Sequence, residues 1–145
     1  MIIEDQHTAS RGKILIADDD LFYRRLLANF LTGEKYSVTS VQSSDEARHQ
    51  LLSEIFDMCV FDYNLPGESL AAIVSFMKRS ARYIPFIIIT GDESCDTERD
   101  ARGLGPVFFF IKPFSLSDFS SVIREGIGRS GSTVAARSEW SIQHE

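Results

Sequence analysis

Five short apolar runs, separated by stretches with helical spacing, restrict the folds open to this chain more than any other feature. The runs fall at Lys13–Ala17, Ser37–Val41, 58–61, Phe86–Thr90 and 107–111. The first, third and fourth are almost continuous in Ile, Val, Leu or Phe. That composition belongs to parallel strands covered on both faces, not to strands with one wet face.

The intervening stretches read as helices. Residues 21–31 repeat Phe22, Leu26, Leu27, Phe30 and Leu31 at intervals of three and four, with Asp20 placed as N-cap and Gly33 as stop. Residues 45–53 follow Ser43 and Glu46 at capping-box spacing, and Ala47, Leu51, Leu52 and Ile55 form the expected apolar stripe. A third helix is predicted over 70–79, with Leu70, Ile73, Val74 and Met77 inward. A fourth, over 96–104, is poor in apolar residues and ends beside Gly103 and Gly105. The fifth follows Ser115, whose spacing to Asp118 suggests a cap, and turns Leu116, Phe119, Val122, Ile123 and Ile127 to the sheet. Strict alternation of strand and helix predicts an α/β doubly wound parallel sheet with helices on both faces. Right-handed crossovers limit the topology, and the flavodoxin-like order 2-1-3-4-5 makes strands 1 and 3 neighbours.

A chain of 145 residues is the size of one ordinary domain. We assign the domain to 11–127, a flexible lead to 1–10, and a flexible tail or linker stub to 128–145, where Gly and Ser displace apolar residues around a single Trp140. With 15 basic and 21 acidic residues, the net charge is −6 and no basic run occurs, which argues against a nucleic-acid surface. No apolar stretch approaches the roughly 20 residues of a membrane span, and the N-terminus lacks a secretory pattern. Cys59 and Cys95 show neither metal nor redox spacing. A cytoplasmic protein with reduced thiols is expected.

Chemistry gathers at the strand ends. Asp18, Asp19 and Asp20 close the first run, and Asp62 closes the third. In a parallel sheet these C-termini share one edge. An isolated acid before a helix is commonly a cap, but one cap suffices, and three in a row exceed that need. Several carboxylates at one place repel each other, and a divalent hard cation with oxygen ligands, here Mg²⁺, is the usual remedy. Asp62 beside such an ion is a potential nucleophile toward a phosphoryl group. Thr90 ends the fourth run and offers a hydroxyl. Lys112, after the fifth, brings a counter-charge, and the Pro113 that follows is compatible with a cis bond.

In that order (acid pair, Asp, Thr, Lys-Pro) the chain resembles the receiver domain of two-component response regulators, of the single-receiver, chemotaxis-regulator-like kind, over roughly residues 11 to 127. The resemblance implies that Asp62 is the phosphoacceptor, taking a phosphoryl group from a phosphohistidine of a sensor histidine kinase or a histidine phosphotransfer protein. It implies Mg²⁺ held by Asp19, Asp62 and the Asn64 carbonyl, with Asp18 acting through water. Lys112 would hold the phosphoryl group, Thr90 would move toward it, and Phe109 would be the switch aromatic that rotates inward. The surface of helix 4, strand 5 and helix 5 would then change for a downstream protein partner, and a phosphorylation-dependent homodimer through that face is left open.

Some features depart from the family pattern. The loop between Asp62 and the third helix is about two residues shorter than usual and lacks the glycine common at that helix start. Phe109 has no hydroxyl where Tyr is frequent, and the fourth helix is polar. Two other readings stand beside the first. A receiver-fold interaction module would need no phosphate, but the intact acids, Thr90 and Lys112 weigh against it. A haloacid-dehalogenase-like phosphatase would use Asp18 as nucleophile, but Phe22 stands where a small residue is usual, no acidic pair follows Lys112, and Asp62 is left unexplained.

Overall fold

The computed structural model describes residues 9–80 and 82–128. Strands β1 (Lys13–Ala17), β2 (Ser37–Val41), β3 (Met58–Asp62), β4 (Phe86–Thr90) and β5 (Phe108–Ile111) alternate with helices α1 (Leu21–Gly33), α2 (Ser44–Ser53), α3 (Leu70–Lys78), α4 (Cys95–Gly103) and α5 (Leu116–Gly128). The strands form one parallel sheet in the order β2-β1-β3-β4-β5. This is the doubly wound topology expected from the alternation.

Side chains on a strand alternate between faces, and the core divides accordingly. Leu15, Ala17, Cys59, Phe61, Ile88 and Phe109 meet Ala47 of α2, Leu70, Ile73, Val74 and Met77 of α3, and Ala101 of α4. Ile14, Ile16, Met58, Val60, Ile87, Ile89 and Phe110 meet Leu27 and Leu31 of α1 and Phe119 and Ile123 of α5. Both faces of the three middle strands are therefore dry, which is why their sequences are continuously apolar. At Gly126, α5 comes so close to β3 that a side chain there would collide with Met58.

Each helix start rests on a local side-chain bond. Asp20 accepts from the amides of Phe22 and Tyr23, Ser43 from Glu46, Ser69 from Ala72, and Ser94 from Thr97. The amide of Asp118 donates to Ser115 Oγ at 3.1 Å. The expected capping box at α2 forms with a shift, because Glu46 reaches back to the amide of Gln42 and not to that of Ser43.

Three apolar residues assigned inward face solvent instead: Phe22 is 66% exposed, Leu52 68% and Ile55 65%. Phe22 precedes Leu27 by five positions, and Leu52 follows Ala47 by five, a rotation of roughly 140° around a helix. Ile55 lies beyond the extended C-cap Glu54, and Phe56 takes the buried place. The expected lead and tail, including Trp140, fall outside the described residues except at 9, 10 and 128. Among the described residues, no helix is long and apolar enough to cross a membrane.

Candidate functional site

The sheet register brings the candidate residues together. Ala17 pairs with Phe61, so Asp18 and Asp62 leave adjacent strands at the same level. Asp62 pairs with Ile89 and Thr90 with Ile111, which sets Thr90 and Lys112 along the same edge. One carboxylate oxygen from each of Asp18, Asp19 and Asp62 lies within 4.8 Å of the others. Lys112 Nζ is 2.9 Å from Asp18 Oδ2 and donates to Asp62 Oδ2 at 3.1 Å. The Lys112–Pro113 peptide bond is cis.

The acids differ in environment. Asp18 has no exposed surface, whereas Asp19 is exposed and Asp62 nearly buried. Asp18 Oδ1 accepts from the Asp20 amide at 2.9 Å, and Asp62 Oδ1 from the Asn64 amide at 2.9 Å. Asp18 Oδ2 has the Lys112 charge beside it but no hydrogen bond directed at it. Burial pushes the Asp18 carboxyl up to about 6; the Asp20 amide and Lys112 pull it down, while Asp62 adds to the rise. For Lys112, burial disfavours the ammonium, but Asp18 and Asp62 together outweigh it and raise its pKa. The ammonium also lies 4.6 Å from the centre of the Tyr23 ring.

Two buried carboxylates therefore share one ammonium, with the exposed third acid, Asp19, beside them. The donors are all oxygen, and one buried oxygen lacks a hydrogen bond. Both facts fit a hard divalent cation such as Mg²⁺. Asp18, Asp19 and Asp62 are the residues placed to hold it, with the backbone of exposed Asn64 next to them.

Thr90 is fully buried, and its Oγ1 accepts from the Asp92 amide at 3.0 Å. Asp92 in turn accepts from the Ser94 amide at 2.8 Å and from Thr97 Oγ1 at 2.7 Å, tying the Thr90 turn to the start of α4. Phe109, the aromatic assigned to the switch, lies on β5 three residues before Lys112. Its ring is already buried, with the Arg102 guanidinium 5.5 Å from its centre and Arg102 Nε paired to Glu98 at 2.7 Å. Sequence reasoning named neither Tyr23, Asp92 nor Arg102. Asp92 carried a weak signal in Gly91-Asp92-Glu93-Ser94, a turn before a helix, while the other two act across elements.

The comparisons with known proteins agree on one family. A model of the response regulator receiver domain matches residues 14–124. Regulatory protein VirG of Agrobacterium tumefaciens is 37% identical over 112 residues, covering 77% of this chain and 42% of VirG. The alginate biosynthesis transcriptional regulatory protein AlgB of Pseudomonas aeruginosa is 30% identical over 105 residues, covering 72% of this chain and 23% of AlgB. The chain spans less than half the length of these curated relatives. Among solved structures, full-length FixJ from B. japonicum superposes with a TM-score of 0.77 at 27% identity, over 90% of this chain and 64% of FixJ. The beryllofluoride-activated NtrC4 receiver domain dimer gives 0.74 at 26% identity, over 81% of this chain and 97% of that one.

Proposed function

The chain belongs to the response regulator receiver domain family, a family of signalling domains, and on that premise we propose that Asp62 accepts a phosphoryl group from a phosphohistidine of a sensor kinase or a phosphotransfer protein. The observation that carries this reading is the approach of Lys112 Nζ to Asp62 Oδ2 at 3.1 Å inside a three-acid cluster. A carboxylate oxygen of Asp62 forms the new P–O bond as the donor's P–N bond breaks. The electron pair leaves on the imidazole, and an acyl phosphate results. Asp19, Asp62 and the Asn64 carbonyl, with Asp18 behind them, would hold Mg²⁺, which when bound would supply positive charge to the phosphoryl oxygens. Lys112 already sits at the acceptor and binds one of those oxygens. Tyr23 beneath the ammonium keeps it directed into the site.

The product adds about −1.5 to −2 charges and new acceptor oxygens at Asp62. Thr90 then turns its hydroxyl from the Asp92 turn toward a phosphoryl oxygen. Since Thr90 Oγ1 is a ligand of the Asp92 amide, and Asp92 braces α4, that movement loosens the start of α4. Phe109 repacks beneath Arg102, and the surface of α4, β5 and α5 changes for a protein partner in the cytoplasm. The activated NtrC4 receiver is a dimer, which supports a phosphorylation-dependent homodimer as one form of output. A phosphatase centred on Asp18 is disfavoured by its complete burial.

The test is intact mass after incubation with Mg²⁺ and acetyl phosphate, beside Asp62→Asn and a metal-free control. Gain of one phosphoryl group, absent from both controls, is the expected result. An adduct that persists in Asp62→Asn overturns the assignment of the acceptor. No adduct from acetyl phosphate or from a panel of phosphorylated phosphotransfer proteins overturns the phosphoacceptor reading.

A further inference from the structure

The loop that leads from Asp62 to α3 is short, and α2 holds it at three consecutive residues. The Pro66 carbonyl accepts two hydrogen bonds from the first residue of α2, Ser44: one from its amide at 2.9 Å and one from its Oγ at 3.0 Å. Ser44 is itself fully buried. Gly67 adopts φ +104°, and its backbone runs so close to Ser44 Oγ that a side chain there would collide with it. Glu68 then receives both nitrogens of one edge of the Arg48 guanidinium, Nε to Oε2 at 2.6 Å and Nη2 to Oε1 at 2.8 Å. The guanidinium also lies 4.4 Å from the centre of the Phe76 ring of α3. Arg48 thus joins α2, the loop and α3 at one point.

At the other end of the loop, the Tyr63 amide donates to the Ile89 carbonyl at 2.8 Å and the Asn64 amide to Asp62 Oδ1 at 2.9 Å. Only Leu65 lies between these two sets of anchors. An exposed ion pair ordinarily contributes little to stability. A planar, two-bonded guanidinium stacked on a ring contributes orientation as well, because it fixes distance and plane together.

We infer that Arg48 is a positioning residue for the metal site, holding the loop through Glu68 so that Asn64 and Asp62 present their oxygens to one cation. This rests on the reading of Asp18, Asp19, Asp62 and Asn64 as the Mg²⁺ ligands. A loop shorter than usual has no slack to find its own place, so α2 sets it from outside. Groups bound to metal ligands commonly change metal affinity by about 10- to 100-fold when removed. Arg48 stands farther back, acting through Glu68 and the loop backbone, so its effect is expected at or below the lower end of that range.

The test uses the full chain and Arg48→Met, which keeps an apolar stem on Phe76 and loses the fork, with Arg48→Lys as the partial rescue. Two readouts are taken: the Mg²⁺ dissociation constant by calorimetric titration, and amide hydrogen exchange over 63–69 in metal-free protein. The expected result for Arg48→Met is Mg²⁺ binding weakened about tenfold, faster exchange at 64–68, and a metal-free thermal midpoint close to that of the wild type. Arg48→Lys falls between the two. Unchanged loop exchange with Mg²⁺ affinity within about twofold of wild type, well short of the usual range, overturns the positioning role. A lower thermal midpoint with unchanged Mg²⁺ affinity does the same and leaves Arg48 a structural residue only. A wild-type chain that takes up no Mg²⁺ overturns the metal-site reading itself, and this inference with it, which is a distinct result.

Discussion

The two edges of the sheet carry charge in opposite ways. At the edge where strands begin, Asp57 Oδ2 accepts from the Lys13 amide at 2.8 Å and Oδ1 from Arg82 Nη2 at 2.9 Å. Lys13 Nζ pairs in turn with Glu54. Acid and base are matched, and the groups are partly exposed. At the edge where strands end, three carboxylates cluster, only the two buried ones, Asp18 and Asp62, pair with Lys112, and burial raises the Asp18 pKa. The matched edge ties β1, the β2–β3 crossover and the approach to β4 together. The mismatched edge works against folding, so its charge needs another justification. Local conflict that survives in a folded chain is a mark of function.

Mutations that make like changes at both edges separate the two roles. On the proposed function the largest expected effect is on phosphoryl uptake: Asp62→Asn should abolish it, while Asp57→Asn, the same chemical change at the other edge, should leave it intact. Intact mass reads both. Uptake lost equally in the two variants would mean that the loss reports folding, not chemistry.

Next comes Asp18, with the opposite sign on stability. Its carboxyl is raised from the usual 3.8 to about 6. The native state therefore holds more protons than the unfolded state between those values. The favourable contribution is complete below pH 3.8 and lost as pH rises through 6. At neutral pH, the ionised group costs the metal-free fold on the order of 3 kcal/mol. Asp18→Asn should stabilise the metal-free protein at pH 7 by up to that amount, show little gain near pH 4, and abolish stabilisation by Mg²⁺. In the wild type, Mg²⁺ binding should weaken as pH falls through 6, because the ligand must be ionised. Urea titrations at the two pH values check the sign, and a destabilised Asp18→Asn at pH 7 would remove the contrast between the edges.

Asp57→Ala should destabilise the protein by about 1–2 kcal/mol, since it removes the acceptor of the Lys13 amide and one partner of Arg82, without changing Mg²⁺ affinity. The smallest effect belongs to Glu54→Gln. Its pair with Lys13 is exposed, so the change should stay within about 0.5 kcal/mol and vanish in high salt. A larger, salt-resistant loss would show that the matched edge acts as one network.

Much of the fold is legible locally. The strands lie within a residue of their expected bounds because continuous apolar runs can only be buried on both faces. Three helix starts are legible because Asp20, Ser43 and Ser115 accept bonds from amides within three positions; Ser69 and Ser94 do the same but were not read as caps. Phe22, Leu52 and Ile55 were misjudged because local spacing does not say how far a helix overhangs the sheet or where its last turn ends. Phe56, which replaces Ile55 in the core, follows a break in period at Glu54.

For the site, the sequence alone determined the acids, Thr90 and Lys112, since each ends an apolar run and a parallel sheet must place such ends along one edge. Tertiary structure alone decided how they meet: the 2.9 Å and 3.1 Å approaches of Lys112 to Asp18 and Asp62, the burial that raises the Asp18 pKa, and the Arg102 guanidinium over Phe109. The grip of α2 on the loop was equally invisible, because Arg48 and Glu68 lie 20 residues apart. Strand ends are set by short-range burial, whereas partners across elements are set by register and crossover, which no local pattern encodes.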